Sequence, residues 1–63
     1  MIVNGKAIAL EVDTLTELLE KLEIKPATVA IEINGEIPRR ETWGSFKVNA
    51  ADRIEIIKFV GGG

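Results

Sequence analysis

The chain has 63 residues, of which 46% are hydrophobic and 29% charged, with a net charge of −2 and neither cysteine nor histidine. Because a domain of this length hides only about 60% of the surface of its unfolded chain, an enclosed pocket of ~300 Å³ or more would hollow out the core and an independent enzyme is disfavoured. The lack of cysteine and histidine excludes disulfides, thiolate or imidazole metal sites and the commonest nucleophile–base pairs. The sequence also has no basic stripe, which disfavours nucleic acid binding.

The first twelve residues, MIVNGKAIALEV, predict a β-hairpin. Asn4-Gly5 lies between two β-favouring runs, and Asn-Gly is the strongest two-residue turn signal. This turn places Val3 opposite Lys6. One face of the hairpin then contains Met1, Val3, Ile8, Leu10 and Val12, and the other face contains Ile2, Ala7 and Ala9.

The next segment, DTLTELLEKLEIKP, changes to the period of a helix. Its leucines recur at positions 15, 18, 19 and 22, which places them in one apolar stripe. Asp13 or Thr14 can cap the start, and Thr14 with Glu17 matches a capping box. Pro26 forbids continuation, so we expect the helix to end by about Ile24.

The rest of the chain predicts two longer strands around an irregular segment. TVAIEING alternates, with residues 29, 31 and 33 inward and Asn34-Gly35 as a second turn. In the segment after it, Pro38 argues against a central strand, and Ile37 is able to begin a short edge pairing. Residues 46–48 predict a brief strand, residues 49–52 a turn, and RIEIIKFV the last strand.

This order of elements predicts an α+β fold. A single amphipathic helix needs an apolar sheet face to cover, and a four- or five-stranded mixed sheet provides one. With the first and last strands side by side at its centre, the arrangement is the β-grasp, the ubiquitin-like architecture. We assign residues 1–60 to this domain and residues 61–63 to a flexible glycine tail.

The alternation of the last strand leaves apolar side chains on the face away from the helix. Ile54 and Ile56 form an inward pair, so Ile57 and Phe59 point outward. Clustered with Ile2 and the neighbouring alanines, they would form a patch for binding another protein. The alternative is a bulge near Ile57 that returns Phe59 to the core.

The sequence closes on Gly61, Gly62 and Gly63, which add little to a fold because glycine loses the most conformational freedom on ordering. Lacking a Cβ, such an end is able to thread a narrow channel and present its carboxylate to another protein. A terminal carboxylate is anionic at neutral pH, and ATP can activate it as an acyl-adenylate for capture by a sulfur or nitrogen nucleophile. The other interpretation is a frayed end or a cloning remnant.

These features resemble the ThiS family, the small ubiquitin-like sulfur carriers of thiamine thiazole biosynthesis. The NGK turn, the LTELLEKL helix, AIEINGEIPRRETW and the closing IEIIKFVGGG follow the family's order and spacing over almost the whole chain. The apolar strand that runs into terminal Gly-Gly is the specific part. Members often have Gly-Asp before the last strand, where this chain has Ala51-Asp52, a departure that affects only the turn.

The resemblance implies a carrier that performs no catalysis and binds no cofactor of its own. A ThiF-type adenylyltransferase would use ATP and Mg to adenylate Gly63, and sulfur from a cysteine desulfurase relay would then replace AMP. The resulting thiocarboxylate would pass its sulfur to a ThiG-type thiazole synthase. Gly61 and Gly62 would enter the partner's channel, and Ile2, Ile57 and Phe59 would contact the partner.

Other interpretations remain open. A MoaD-like carrier would deliver sulfur for molybdopterin synthesis, a conjugated modifier would form isopeptide links to lysines, and a plain interaction module would leave the tail idle. Trp43 is expected in the core rather than as a partner anchor, and Arg39 and Arg40 are expected to be solvated rather than bound to an acidic partner. With no signal peptide and no apolar run of membrane length, we expect a cytoplasmic protein without a membrane partner.

Overall fold

The computed structural model describes residues 1–59, which form one helix packed on a four-stranded mixed sheet. The strands are β1 (Ile2–Val3), β2 (Lys6–Ala7), β3 (Val29–Ile33) and β4 (Arg53–Lys58), and the helix is α1 (Leu15–Lys21). The strand order is β2-β1-β4-β3, with β1 and β4 parallel at the centre. The predicted β-grasp is thereby confirmed. Residues 60–63 lie outside the described residues, so the predicted domain end at 60 and the glycine tail stay predictions.

The first hairpin forms around the predicted Asn4-Gly5 turn. Asn4 has a φ of 51° and Gly5 a φ of 81°, the left-handed conformations that a two-residue hairpin turn of this type requires. Val3 pairs with Lys6, as the turn predicts. Of the predicted inward residues of this segment, Val3 is buried in the core. The others pack partly buried against it, namely Met1, Ile8, Leu10 and Val12.

The helix begins with the predicted capping box. Thr14 is the N-cap, and its Oγ1 accepts a hydrogen bond from the N–H of Glu17 at 3.2 Å. Glu17 Oε1 reaches back and accepts from the N–H of Asp13 at 2.7 Å. The leucines at positions 15, 18 and 19 are fully buried, so the apolar stripe faces the sheet as predicted.

The helix ends in a Schellman motif, with Glu23 at the position that glycine usually occupies. The N–H of Ile24 donates to the carbonyl of Leu19 at 2.9 Å, and the N–H of Glu23 donates to the carbonyl of Glu20 at 3.1 Å. Glu23 has a φ of 58°, a left-handed conformation that costs a residue with a side chain roughly 1 kcal/mol. The helix therefore ends before Ile24, as predicted.

The start of β4 is fixed by the buried carboxylate of Asp52, which is only 7% exposed. Its Oδ1 accepts from Asn34 Nδ2 at 2.9 Å, and its Oδ2 accepts from the N–H of Asn49 at 2.8 Å. Asn34 Oδ1 in turn accepts from the N–H of Arg53 at 2.9 Å. One carboxylate thus joins the turn after β3 to the predicted turn over residues 49–52.

Residues 46–48 do not form the predicted strand. Lys47 makes one isolated bridge with Thr14, and the N–H of Val48 donates to the carbonyl of Asp13 at 3.0 Å. The segment therefore bonds to the chain entering the helix rather than to a strand of the sheet. Alternation alone does not distinguish these two kinds of partner.

Candidate functional site

The outward side chains of β4 are those that the alternation predicts. Ile54 is fully buried and Ile56 packs against the core, whereas Ile57 is 49% and Phe59 56% exposed. β3 and β4 pair without interruption from Val29 opposite Lys58 to Ile33 opposite Ile54. No bulge therefore returns Phe59 to the core, and the bulge alternative is wrong.

The structure divides the outer face, the sheet surface away from α1, into two apolar areas. The hairpin-side area contains Ile2 and Ala7, and Ile2 pairs with Arg53 at the start of β4. The tail-side area contains Ala30, Ile57 and Phe59, and Ile57 lies four residues beyond Arg53, roughly 13 Å along the strand.

The predicted clustering of Ile2 with Ile57 and Phe59 in a single patch is therefore corrected. Because β1 runs parallel to β4 and ends at the Asn4-Gly5 turn, Ile2 lies beside the beginning of β4. The row between the two apolar areas is acidic, with Glu32 of β3 opposite Glu55 of β4.

The last part of β4 extends past the hairpin toward the glycines. The N–H of Ile56 donates to Asn4 Oδ1 at 2.7 Å, which marks how far the hairpin turn reaches along the strand. Beyond this point β3 is the neighbouring segment, and the N–H of Phe59 donates to the carbonyl of Thr28 at 3.1 Å. The predicted attachment residue Gly63 and the predicted channel residues Gly61 and Gly62 lie outside the described residues.

Trp43 belongs to the core, as predicted, and Arg40 has a structural role that the sequence does not reveal. Trp43 is 3% exposed, and its Nε1 donates to the carbonyl of Pro38 at 3.2 Å. Arg40 donates from Nε to the carbonyl of Pro26 at 3.2 Å and from Nη2 to that of Val29 at 2.8 Å. Its guanidinium carbon also lies 5.2 Å from the centroid of the Trp43 ring, so Arg40 ties the loop to the start of β3.

The neighbouring loop residues remain at the surface. Arg39 forms an exposed ion pair with Glu41 at 3.3 Å, in line with the solvated interpretation. The bridge next to β3 joins Glu36 to Ile33. Ile37 is 71% exposed and does not begin the predicted edge pairing, because the turn already brings Glu36 back to the strand.

Residues 1–59 contain no candidate metal site and no candidate membrane span. In that range no group of three or more His, Cys, Asp or Glu side chains is placed to hold a metal ion. No helix of the same range is long and apolar enough to cross a bilayer. A groove of about 740 Å³ opens between the hairpin and the helix start, lined partly by Ile8, Leu10, Val12 and Glu17. The outer face, with its exposed apolar residues, remains the candidate site.

Comparisons with known proteins agree on one family. The model of a family described as the ThiS family matches residues 1–63. The chain is 37% identical over 62 residues to the sulfur carrier protein ThiS of Bacillus subtilis, covering 95% of this chain and 94% of that protein. It is also 33% identical over 64 residues to a thiazole synthase of Paramagnetospirillum magneticum, and it spans 20% of the length of that protein.

A solved structure supports the same relationship. The crystal structure of the thiamine biosynthesis protein ThiS from Geobacter metallireducens matches this fold with a TM-score of 0.83 at 35% sequence identity. The match covers 98% of this chain and 96% of that one. The β-grasp is therefore shared with a protein of similar sequence and similar length.

Proposed function

The chain belongs to the ThiS family of sulfur carrier proteins, and on that premise we propose that Gly63 carries sulfur for synthesis of the thiamine thiazole. A ThiF-type adenylyltransferase uses Mg-ATP to convert the Gly63 carboxylate into an acyl-adenylate, with release of pyrophosphate. The terminal sulfur of a persulfide, supplied by a cysteine desulfurase relay, attacks the acyl carbon and displaces AMP, which gives an acyl disulfide. A thiol, such as the added cysteine in the assay below, then reduces the S–S bond and releases the thiocarboxylate. A ThiG-type thiazole synthase then receives the sulfur.

The observation that carries this proposal is the family match over residues 1–63, a range that includes the three glycines. A carboxylate is a poor electrophile because it is anionic at neutral pH and offers no good leaving group. Adenylation removes both obstacles, and the enzyme that performs it supplies the nucleotide and the metal. The proposal therefore requires no cofactor and no catalytic group on the carrier.

The position of β4 supports a partner that contacts the end of the sheet. Gly63 lies four residues beyond Phe59, and four extended residues span at most about 14 Å. A catalytic centre that acts on Gly63 must therefore lie within that distance of Phe59. The exposed Ile57 and Phe59 are the apolar side chains best placed to contact such a partner.

The similarity to a thiazole synthase supports a ThiG-type enzyme as the acceptor. The whole of this chain matches a fifth of the length of the Paramagnetospirillum protein. That protein thus combines a ThiS-like segment and the name thiazole synthase in a single chain. We propose that the carrier and a thiazole synthase cooperate here as well, with the synthase as the acceptor of the sulfur.

Mass spectrometry provides the direct test. The full chain is incubated with a ThiF-type enzyme, Mg-ATP, a cysteine desulfurase and cysteine, and we expect the mass change of replacing one oxygen by sulfur. The change should map to the peptide that ends at Gly63, and the same spectrum establishes where the chain ends. With enzymes that charge the Bacillus subtilis ThiS in parallel, an unchanged mass would refute the proposal.

A deletion of Gly62 and Gly63 is the matched control, because it shortens the chain outside the described domain. We expect this variant to keep its melting temperature and to gain no sulfur. Transfer from the charged protein to a ThiG-type thiazole synthase, but not to a molybdopterin synthase large subunit, separates this function from that of a MoaD-like carrier. A deletion variant that still supports growth without thiamine would favour an interaction module with an idle tail.

A further inference from the structure

The outer face contains a pair of like charges at directly opposed positions. Glu32 of β3 and Glu55 of β4 are Cα partners in the antiparallel ladder, with Glu32 half-buried and Glu55 exposed. Side chains at such positions have Cβ atoms about 4.5–5.5 Å apart, and like charges there destabilise the sheet. The fold gains nothing from this pair.

The nearby cations that the structure describes form no ion pair with these glutamates. Among residues 1–59 neither carboxylate forms an ion pair, and the two ion pairs of that range lie elsewhere, within the 39–41 loop and between residues 13 and 47. Arg53 is the nearest cation along β4, two residues before Glu55 on the same face, yet its guanidinium pairs with neither glutamate. Glu32 and Glu55 therefore oppose each other without an ion-pair partner among residues 1–59.

The acidic pair lies between the two apolar areas of the outer face. On the tail side the next row contains Ala30 opposite Ile57, and on the hairpin side Ile2 lies beside Arg53. A protein that covers Ile57 and extends along the sheet must also exclude water from both carboxylates. Burying a charge without a partner is strongly unfavourable, so a protein that covers this face needs a cation at that point.

We propose that the outer face docks a protein that places an arginine side chain between Glu32 and Glu55 while its apolar side chains cover Ile57 and Phe59. A guanidinium suits two adjacent carboxylates because its planar array of donors reaches both of them. This inference rests on the proposed function, in which the ThiF-type adenylyltransferase is the first protein to act on Gly63, so we take that enzyme as the docking protein. It adds the chemistry by which that enzyme recognises the carrier.

The test uses three variants of the full chain, Glu32→Gln, Glu55→Gln and the double variant, each of which keeps the side-chain size. Removing the repulsion should raise the melting temperature by about 1–5 °C. Losing the partner for a covered arginine should weaken binding to the adenylyltransferase about tenfold or more, measured by titration calorimetry. Opposite signs for stability and binding are expected of residues that serve a partner rather than the fold.

Glu20→Gln is the matched control, since it removes one negative charge from the exposed face of α1. It should change the binding constant less than twofold, which separates local recognition from the effect of net charge. Raising the salt concentration should weaken binding of the wild-type protein more steeply than binding of the double variant, because salt screens exposed charges.

Several results would overturn the inference. Equal binding of wild type and double variant would exclude recognition through these carboxylates, and lower melting temperatures in the glutamine variants would show that Arg53 already neutralises the pair. Added Mg²⁺ that raises the melting temperature of the wild type but not of the double variant would indicate a metal site instead. Dimerisation of the wild type that the double variant loses would indicate a second copy.

The failures of the two proposals are distinguishable. If the wild-type chain gains sulfur normally and the double variant reaches half-maximal charging at the same concentration, the carrier function stands and the arginine contact is wrong. If the wild type gains no sulfur, the carrier function fails, and the calorimetric comparison still decides whether the enzyme recognises the acidic pair.

Discussion

A comparison of Ile57→Ala with Ile54→Ala separates the partner surface from the core within one strand. Both residues lie in β4 and both changes remove the same atoms, but Ile54 is fully buried under α1 whereas Ile57 is 49% exposed. We expect Ile54→Ala to destabilise the fold and Ile57→Ala to weaken binding to the ThiF-type adenylyltransferase. The environment of each side chain sets the difference.

The structure gives the size of each effect. Truncating a fully buried isoleucine to alanine costs about 2–5 kcal/mol, which is comparable to the ~3–9 kcal/mol expected for the stability of a 63-residue domain. Burying an isoleucine completely is worth about 1.5–3 kcal/mol, so the half of Ile57 that folding covers contributes roughly 1 kcal/mol. A partner that covers the other half would gain a similar amount, equivalent to about a fivefold change in affinity.

Urea denaturation and titration calorimetry measure the two effects. Ile57→Ala should lower the free energy of unfolding by no more than about 1 kcal/mol while the dissociation constant rises several-fold. Ile54→Ala should remain largely unfolded or lose most of its stability. If Ile57→Ala binds the adenylyltransferase as tightly as the wild type does, the tail-side area is not the contact surface. If it unfolds as readily as Ile54→Ala, the register of β4 is wrong.

Two further predictions concern the residues that hold the fold. Arg40→Ala should lower the free energy of unfolding by about 1–2 kcal/mol, because two hydrogen bonds to backbone carbonyls and the contact with Trp43 are lost. The control Arg39→Ala removes only an exposed ion pair and should lower it by less than about 0.5 kcal/mol. Equal losses for the two variants in urea titrations would contradict the structural role of Arg40. Glu23→Gly should raise the free energy of unfolding by up to ~1 kcal/mol, because glycine adopts the left-handed conformation without strain, and a lower melting temperature would show that the glutamate side chain stabilises the helix end.

The elements that the sequence predicts well depend on residues close together in the chain. The Asn4-Gly5 turn fixes the pairing of Val3 with Lys6 through two intervening residues. Thr14 caps a helix whose first turn contains its partner Glu17. Such signals act within a few positions, so tertiary structure has little opportunity to override them.

The arrangement of the outer face depends on a pairing that no turn fixes. β1 and β4 are parallel and some fifty residues apart, and neither strand contains a signal for its position along the other. The alternation in β4 predicts correctly that Ile57 and Phe59 face outward. It does not predict that Glu55 and Glu32 separate them from Ile2, because that depends on the register of β4 with β1 and with β3.

The roles of Arg40 and of residues 46–48 escape sequence analysis for a related reason. The two carbonyls that Arg40 binds lie 11 and 14 residues earlier in the chain, at Val29 and Pro26. Val48 bonds to Asp13, which precedes the helix. In both cases the partner is a backbone group, which every residue offers, so the sequence contains no specific signal for the contact. The proposed role of Gly63 rests on family membership.

The alternation of β4 also explains where so small a domain can tolerate a destabilising pair of like charges. Ile54 and Ile56 face the core, where a pair of uncompensated carboxylates would cost more than the ~3–9 kcal/mol of stability that a domain of this length provides. On the outer face water still solvates Glu32 and Glu55, and their repulsion costs only about 1 kcal/mol or less. A recognition element that destabilises the free protein is therefore compatible with the fold only on the sheet surface that the helix leaves open. The same surface adjoins the end of β4, four residues before Gly63 in the sequence, so binding there would bring a partner close to the residue on which we propose that it acts.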